Sequence, residues 1–126
     1  LKKNIIQKFS KKQKIIDLGP SSDKSTDYPD YAQKLSKMVS SNSRNFGILV
    51  CGSGTGMAIS ANKNKKIRAA LCYSVKNTRL SRLHNNANII TLGARLLNKN
   101  KAFNLIKVFL STKFEGGRHL RRVKKI

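Results

Sequence analysis

A chain of 126 residues is long enough for one domain with a real core and too short for two. No apolar run approaches the roughly 18–20 residues that a membrane-spanning helix requires, and no signal-peptide pattern opens the chain, so a cytoplasmic protein with no membrane partner is expected. Two cysteines, Cys51 and Cys72, are too few for a disulfide framework. Charge is the most unusual feature: 27 Lys and Arg stand against 5 Asp and Glu, a net +22. Such a balance first suggests nucleic acid. Yet 19 of the 27 are Lys, scattered among 12 Asn and 11 Ile, a mixture that an AT-rich genome favours by itself. The basic runs 11–14, 63–66 and 121–125 carry no interleaved aromatic residues on which bases could stack. The reading is a solvated basic surface with no specific nucleic-acid partner.

In chain order, residues 1–9 (LKKNIIQKF) place Leu1, Ile5, Ile6 and Phe9 on one helical face. Residues 14–18 (KIIDL) read as a short strand stopped by Gly19-Pro20. Residues 29–40 read as a helix, with Asp27 as N-cap and Tyr31, Leu35, Met38 and Val39 inward. The apolar run 46–50 reads as a fully buried strand, followed by Cys51, by glycines at 52, 54 and 56, and by a helix over 57–62. A strand is expected over 67–73. A helix over 75–84 should turn Leu80 and Leu83 inward and leave Arg79 and Arg82 more exposed. Another strand spans 89–92, a helix 99–110, and a basic, helical tail closes the chain. Strands alternating with helices of about ten residues specify an α/β domain: a parallel sheet with helices on both faces.

Three alternate glycines beside a thiol at a strand's carboxyl end are the main chemical signal. Ligands of open α/β sheets bind at that edge, glycines permit close backbone approach, and amides opening a helix attract anions. The loop is not a P-loop, because no Gly-Lys-Ser/Thr follows, and Met57 stands where a dinucleotide fingerprint needs its third glycine. Oxyanion binding or a merely tight connection both remain open. Cys51 is a candidate acid, base or nucleophile, or else an inert core thiol; Cys72, with no glycine loop after it, reads as structural. His84 closes a helix and by itself could be a surface residue. Arg118 and Arg122, four apart on a helix, could grip one phosphate jointly or belong to an ordinary basic tail. No Cys, His or carboxylate spacing suggests a metal, and no GxSxG elbow supports a hydrolase.

Longer segments carry more. IIDLG (15–19), TDYPDYA (26–32), GILVCGSGTGMAISANK (47–63), IRAALC (67–72), LSRLHNNAN (80–88), TLGAR (91–95) and FEGGRHLRRVKKI (114–126) run nearly end to end. In that order they closely resemble the type B ribose-5-phosphate isomerase family, which includes the allose and galactose 6-phosphate isomerases. The resemblance implies a three-layer Rossmann-like fold, a homodimer or tetramer with shared sites, a phosphorylated sugar substrate and no cofactor or metal. It implies interconversion of ribose 5-phosphate and ribulose 5-phosphate, with a hexose 6-phosphate reaction on the same scaffold as the alternative.

By the same resemblance Cys51 matches the family's base; Thr55 stands where members lacking that Cys carry Glu. Gly52, Ser53, Gly54 and Gly56 match the loop whose amides hold the enediolate oxygens. His84 matches the residue that assists ring opening and Asn85 its substrate-binding neighbour, both coming from the partner subunit. Arg118 and Arg122 match phosphate ligands, Arg95 a further basic contact, and Tyr28 a residue lining the pocket. The departure is at the front. The family begins with a central strand ending in an Asp-His motif, and residues 1–14 supply neither residue. Residues 1–126 are therefore expected to be a single, N-terminally truncated isomerase domain ending in a basic tail over 118–126, or else an inactive binding remnant.

Overall fold

The computed structural model describes all residues, 1–126. Helix α1 (Lys2–Phe9) comes first, then a long unpaired stretch, then α2 (Tyr28–Ser40). The rest alternates: β1 (Gly47–Cys51), α3 (Thr55–Ala61), β2 (Ala69–Leu71), α4 (Val75–Asn85), β3 (Ile89–Gly93), α5 (Lys99–Ser111) and α6 (Arg118–Val123). The three strands are parallel in the order β1-β3-β2, with Gly47 opposite Ile89, Cys51 opposite Gly93, and Leu71 opposite Thr91. The α/β class and the parallel sheet are as the sequence predicts.

Residue alternation along the strands builds two cores. Ile90 and Leu92 face a cluster with Ile5 and Phe9 of α1, and Leu105, Ile106 and Phe109 of α5, with Ile48 and Val50 packed against it. Leu49 and Ile89 face the other way, onto Ala32 and Val39 of α2, and Met57 and Ala61 of α3. Helices thus cover both faces, and β3 between its two neighbours is buried at every position.

Three expectations are corrected. Residues 14–18 form no strand. No strand lies on the outer edge of β1 to pair with them, so a cleft of about 350 Å³ separates the two, lined by Ile15, Leu18, Tyr31, Leu35, Ile48 and Val50 among others. Ile16 is left 59% exposed. The stretch is held by side chains instead: Lys2 Nζ donates to both Asp17 oxygens at 3.0 Å, and Lys34 Nζ to the Leu18 carbonyl at 3.4 Å.

The strand expected over 67–73 shrinks to three residues because asparagine side chains take over its flanking backbone groups. The Arg68 amide donates to Asn88 Oδ1 at 2.8 Å and the Tyr73 amide to Asn77 Oδ1 at 3.0 Å. On the outer edge Asn62 imitates a strand, donating to the Ala69 carbonyl at 2.9 Å and accepting from its amide at 2.7 Å.

Third, α4 is rotated from the expected face. Thr78, Ser81 and Arg82 are buried while Leu80 is exposed. Arg82 lies over the rings of Phe46 and Phe109, 4.8 and 5.5 Å from their centroids, a cation–π site that draws this helix face inward. Likewise Met38 of α2 faces solvent, and Ala32 and Ser36 fill the interior beside Val39.

Candidate active site

At the carboxyl edge of the sheet, β1 delivers Cys51 half-buried. The chain then turns through Gly54, whose φ of +83° suits only glycine and which caps α3. Its amide donates to Cys51 Sγ at 3.1 Å. The Thr55 amide donates to Ser53 Oγ at 3.3 Å, whereas the amides of Ser53, Gly56 and Met57 have no acceptor within the chain. A thiol thus sits among backbone donors free to meet an oxyanion.

Two further residues close on this loop. After β3 the Ala94 amide donates to the Cys51 carbonyl at 2.8 Å and the Arg95 amide to that of Gly52 at 3.0 Å, which lays the Arg95 side chain over Gly52. Tyr28, first in α2, lies over Gly56: a Cβ there would come within 2.6 Å of the phenol ring. Cys51, Gly52, Ser53, Gly54, Gly56, Tyr28 and Arg95 therefore form one cluster. Cys72 is outside it, buried, with its thiol pushed up by desolvation, as expected of a structural cysteine.

His84, Asn85, Arg118 and Arg122 form a second cluster elsewhere. Helix α4 leaves the carboxyl end of β2, capped by Ser74, and runs back to the amino end of β3. Its 11 residues span about 16 Å, which puts His84 and Asn85 at the sheet edge opposite Cys51. Helix α5 makes the same return from the end of β3 and brings Glu115 and α6 to that edge. There the Glu115 amide donates to the Leu83 carbonyl at 3.1 Å, and its Oε2 lies 3.8 Å from His84 Nε2. His119 stacks on His84, ring centroids 4.1 Å apart and planes 11° apart. Arg118 and Arg122 flank it, exposed, on the same short helix.

His84, Glu115 and His119 place donor atoms within 4.8 Å of one another, a grouping that no sequence spacing announces. It does not fit a metal ion. A metal about 2.0–2.1 Å from each imidazole nitrogen lies near both ring planes, and two almost parallel planes about a stacking distance apart cannot both contain it. Arg118 and Arg122 beside the pair also oppose a cation.

Comparison with known proteins decides what the arrangement belongs to. A family model described as Ribose/Galactose Isomerase matches residues 1–126. The ribose 5-phosphate isomerase of Thermotoga maritima superposes with a TM-score of 0.95 at 47% identity, over 98% of this chain and 86% of that one. This chain belongs to the ribose/galactose isomerase family. Within that family, the Mycoplasma genitalium ribose-5-phosphate isomerase B, solved with bound ribulose 5-phosphate, is 40% identical with a TM-score of 0.91, over 98% of this chain and 83% of its own. Ribose-5-phosphate isomerase B of Escherichia coli K12 is 39% identical over 112 residues, covering 89% of this chain and 75% of its own length. The type B ribose-5-phosphate isomerase resemblance is thereby established, and with it the class of enzyme, an aldose–ketose isomerase acting on sugar phosphates.

For a member of this family the two clusters are the notable point. No hydrogen bond, ion pair or ring contact joins the Cys51 group to the His84 group within the chain. Sequence reasoning missed Glu115 and His119 as site residues. Both lie in the EGGRH motif beside Arg118, but their meeting with His84 is a tertiary contact across 31 and 35 positions that no local pattern carries.

Proposed function

We propose that this chain interconverts ribose 5-phosphate and ribulose 5-phosphate through a cis-enediol, without a metal or other cofactor. The observation that supports this most directly is Cys51 at the carboxyl edge of β1, held at 3.1 Å by the Gly54 amide and bordered by amides without acceptors. In the aldose-to-ketose direction, Cys51 as thiolate takes the proton from C2. The electron pair forms the C1–C2 double bond, and the aldehyde oxygen becomes an enediolate oxygen that the loop amides around Gly52, Ser53, Gly54 and Gly56 stabilise. Cys51 then returns the proton to C1 as the C2 hydroxyl passes its own proton to the C1 oxygen and becomes the ketone. Tyr28 and Arg95 border the sugar. His84 assists opening of the furanose, with Asn85 beside it, and Arg118 with Arg122 anchors the phosphate, which supplies orientation.

Opposite placement of the two clusters supports a site shared between subunits. One chain cannot bring Cys51 and His84 to one sugar, whereas a second copy can offer its His84 edge to the first copy's Cys51 edge. Exposed Leu80 on α4 and the exposed Tyr73 before it offer apolar surface for that association. The cleft along β1 belongs to the same reading: an additional parallel strand there would complete the sheet and give residues 14–18 a pairing partner, as a truncated isomerase domain requires. A protein extended by such a strand should melt higher than residues 1–126.

The deciding experiment is an isomerase assay with ribose 5-phosphate, Cys51→Ala beside the unaltered chain. Turnover should fall by a factor of about 100 or more, with binding of ribulose 5-phosphate retained. Turnover persisting within about tenfold removes Cys51 as base. Preferential turnover of allose or galactose 6-phosphate replaces the pentose reading with the hexose one.

A further inference from the structure

We propose that Glu115 and His119 are positioning residues for His84: Glu115 holds its proton at Nε2, and His119 fixes the plane of its ring, leaving Nδ1 as the nitrogen with the free lone pair. This rests on reading His84 as the ring-opening group. An imidazole serves ring opening only if the nitrogen that meets the sugar is in a defined state, and no hydrogen bond from α4 to the ring defines it. Here two outside groups constrain it.

Glu115 Oε2 lies 3.8 Å from His84 Nε2. That is too long for a hydrogen bond but close enough for its charge to favour a proton on the nearer nitrogen. Catalytic contacts of this kind commonly tighten when substrate binds. The backbone that carries the carboxylate is fixed, because the Glu115 amide is bonded to the Leu83 carbonyl, one residue before His84. Moreover Arg82 ties the same turn to the incoming loop, donating from Nε to the Thr112 carbonyl at 3.1 Å and from Nη1 to the Ala87 carbonyl at 2.6 Å.

His119 is 95% buried by its 5% residual exposure, and its Nε2 has no hydrogen-bond partner. It is thus seated by packing, and what it offers His84 is the face of its ring. Burial first, then His84, Arg118 and Arg122, hold the His119 imidazole below its ordinary value, with Glu115 pulling the other way. The covering ring is therefore biased toward its neutral form, and the charged groups facing the pair from the loop and from α6 are Glu115, Arg118 and Arg122.

Two measurements on the full chain test this. Nitrogen-15 NMR of the neutral His84 ring should show the Nε2–H tautomer in larger excess than a free imidazole does, an excess reduced in Glu115→Ala and kept in Glu115→Gln, whose amide oxygen can still face Nε2. In the second, ribose 5-phosphate enters as a furanose, whereas ribulose 5-phosphate is open-chain because its O5 carries the phosphate. Glu115→Ala and His119→Ala should lower furanose turnover by about tenfold or more, with KM nearly unchanged. Exchange of the ribulose 5-phosphate C1 proton with deuterated water, which needs no ring opening, should stay within twofold. His119→Phe, which keeps a flat ring in the same place, should restore turnover. An unchanged tautomer in Glu115→Ala, or exchange and furanose turnover falling together, overturns the proposal. A native chain that shows the Nε2–H tautomer but neither exchange nor turnover overturns the isomerase reading instead and leaves the positioning of His84 standing.

Discussion

At the scale of single residues, Arg82 illustrates how a charge can belong in a core without an acidic partner. Its guanidinium bonds the carbonyls of Thr112 and Ala87 and Asn86 Oδ1, and it lies over two aromatic rings. The oxygens are partial charges already fixed by the fold, so they accept the cation without the ordering cost of a mobile carboxylate. Burial, then nearby Arg68, eases its pKa downward, but a guanidinium remains charged at any ordinary pH. Arg82→Met keeps much of the bulk and strands three acceptors. A loss of about 3–5 kcal/mol is expected, read as a lower midpoint in urea unfolding, and the Glu115 loop should loosen with it. Sequence periodicity put Leu80 inside and Arg82 outside because it counts apolarity alone. Two aromatic rings, Phe46 and Phe109, reverse that order, and they come from residues far along the chain.

At the scale of elements, the β1–α3 junction is where sequence and structure agree most closely. An apolar run, a thiol and alternate glycines become a strand, a half-buried Cys51 and a loop of amides, although the strand is not fully buried as the run predicts: Ile48 and Val50 are half-buried because β1 is an edge strand, and Phe46 lies outside it, exposed. The local geometry explains why glycine is needed at position 54. With φ at +83°, a Cβ would meet Leu71 Cδ1 at 2.7 Å and the Leu92 carbonyl carbon at 3.0 Å. Gly54→Ala should cost about 2–4 kcal/mol in thermal unfolding, and should lower turnover in the surviving folded protein by moving the amide from Cys51 Sγ. Residues 14–18 show the opposite case. Their composition reads as a strand, but a strand exists only as one side of a ladder, and the edge of β1 that faces them carries none. The short β2 makes a related point, since Asn62, Asn77 and Asn88 satisfy backbone groups that a longer ladder would otherwise take.

At the scale of the whole molecule, the return of α4 and α5 to the amino edge of the sheet governs the proposed chemistry. It separates Cys51 from His84 within a chain, and the proposed reaction therefore draws its other half from a second copy. A mixture of Cys51→Ala and His84→Ala chains tests this. Each alone should be nearly inactive, and random reassociation should restore about a quarter of native activity, because half of the dimers are mixed and each of those carries one intact site of two. No recovery after verified subunit exchange would place both groups in one subunit's site. The strong positive charge has a modest role at this scale. Arg118 and Arg122, the proposed phosphate ligands, are exposed, and the lysines are spread over the exterior.

The amino-acid sequence by itself determined the α/β class, the position of the thiol and its glycine loop, and the family, because each depends on short-range order along the chain: periodicity, spacing and motif. Tertiary structure alone decided the rest. It set which face of α4 is buried, whether residues 14–18 find a partner, and how His84, Glu115 and His119 come together. Those outcomes depend on which distant groups are adjacent, and adjacency is a property of the packed sheet and helices, not of any local pattern. The glycine loop could therefore be read from its own residues, and the histidine pair opposite it could not.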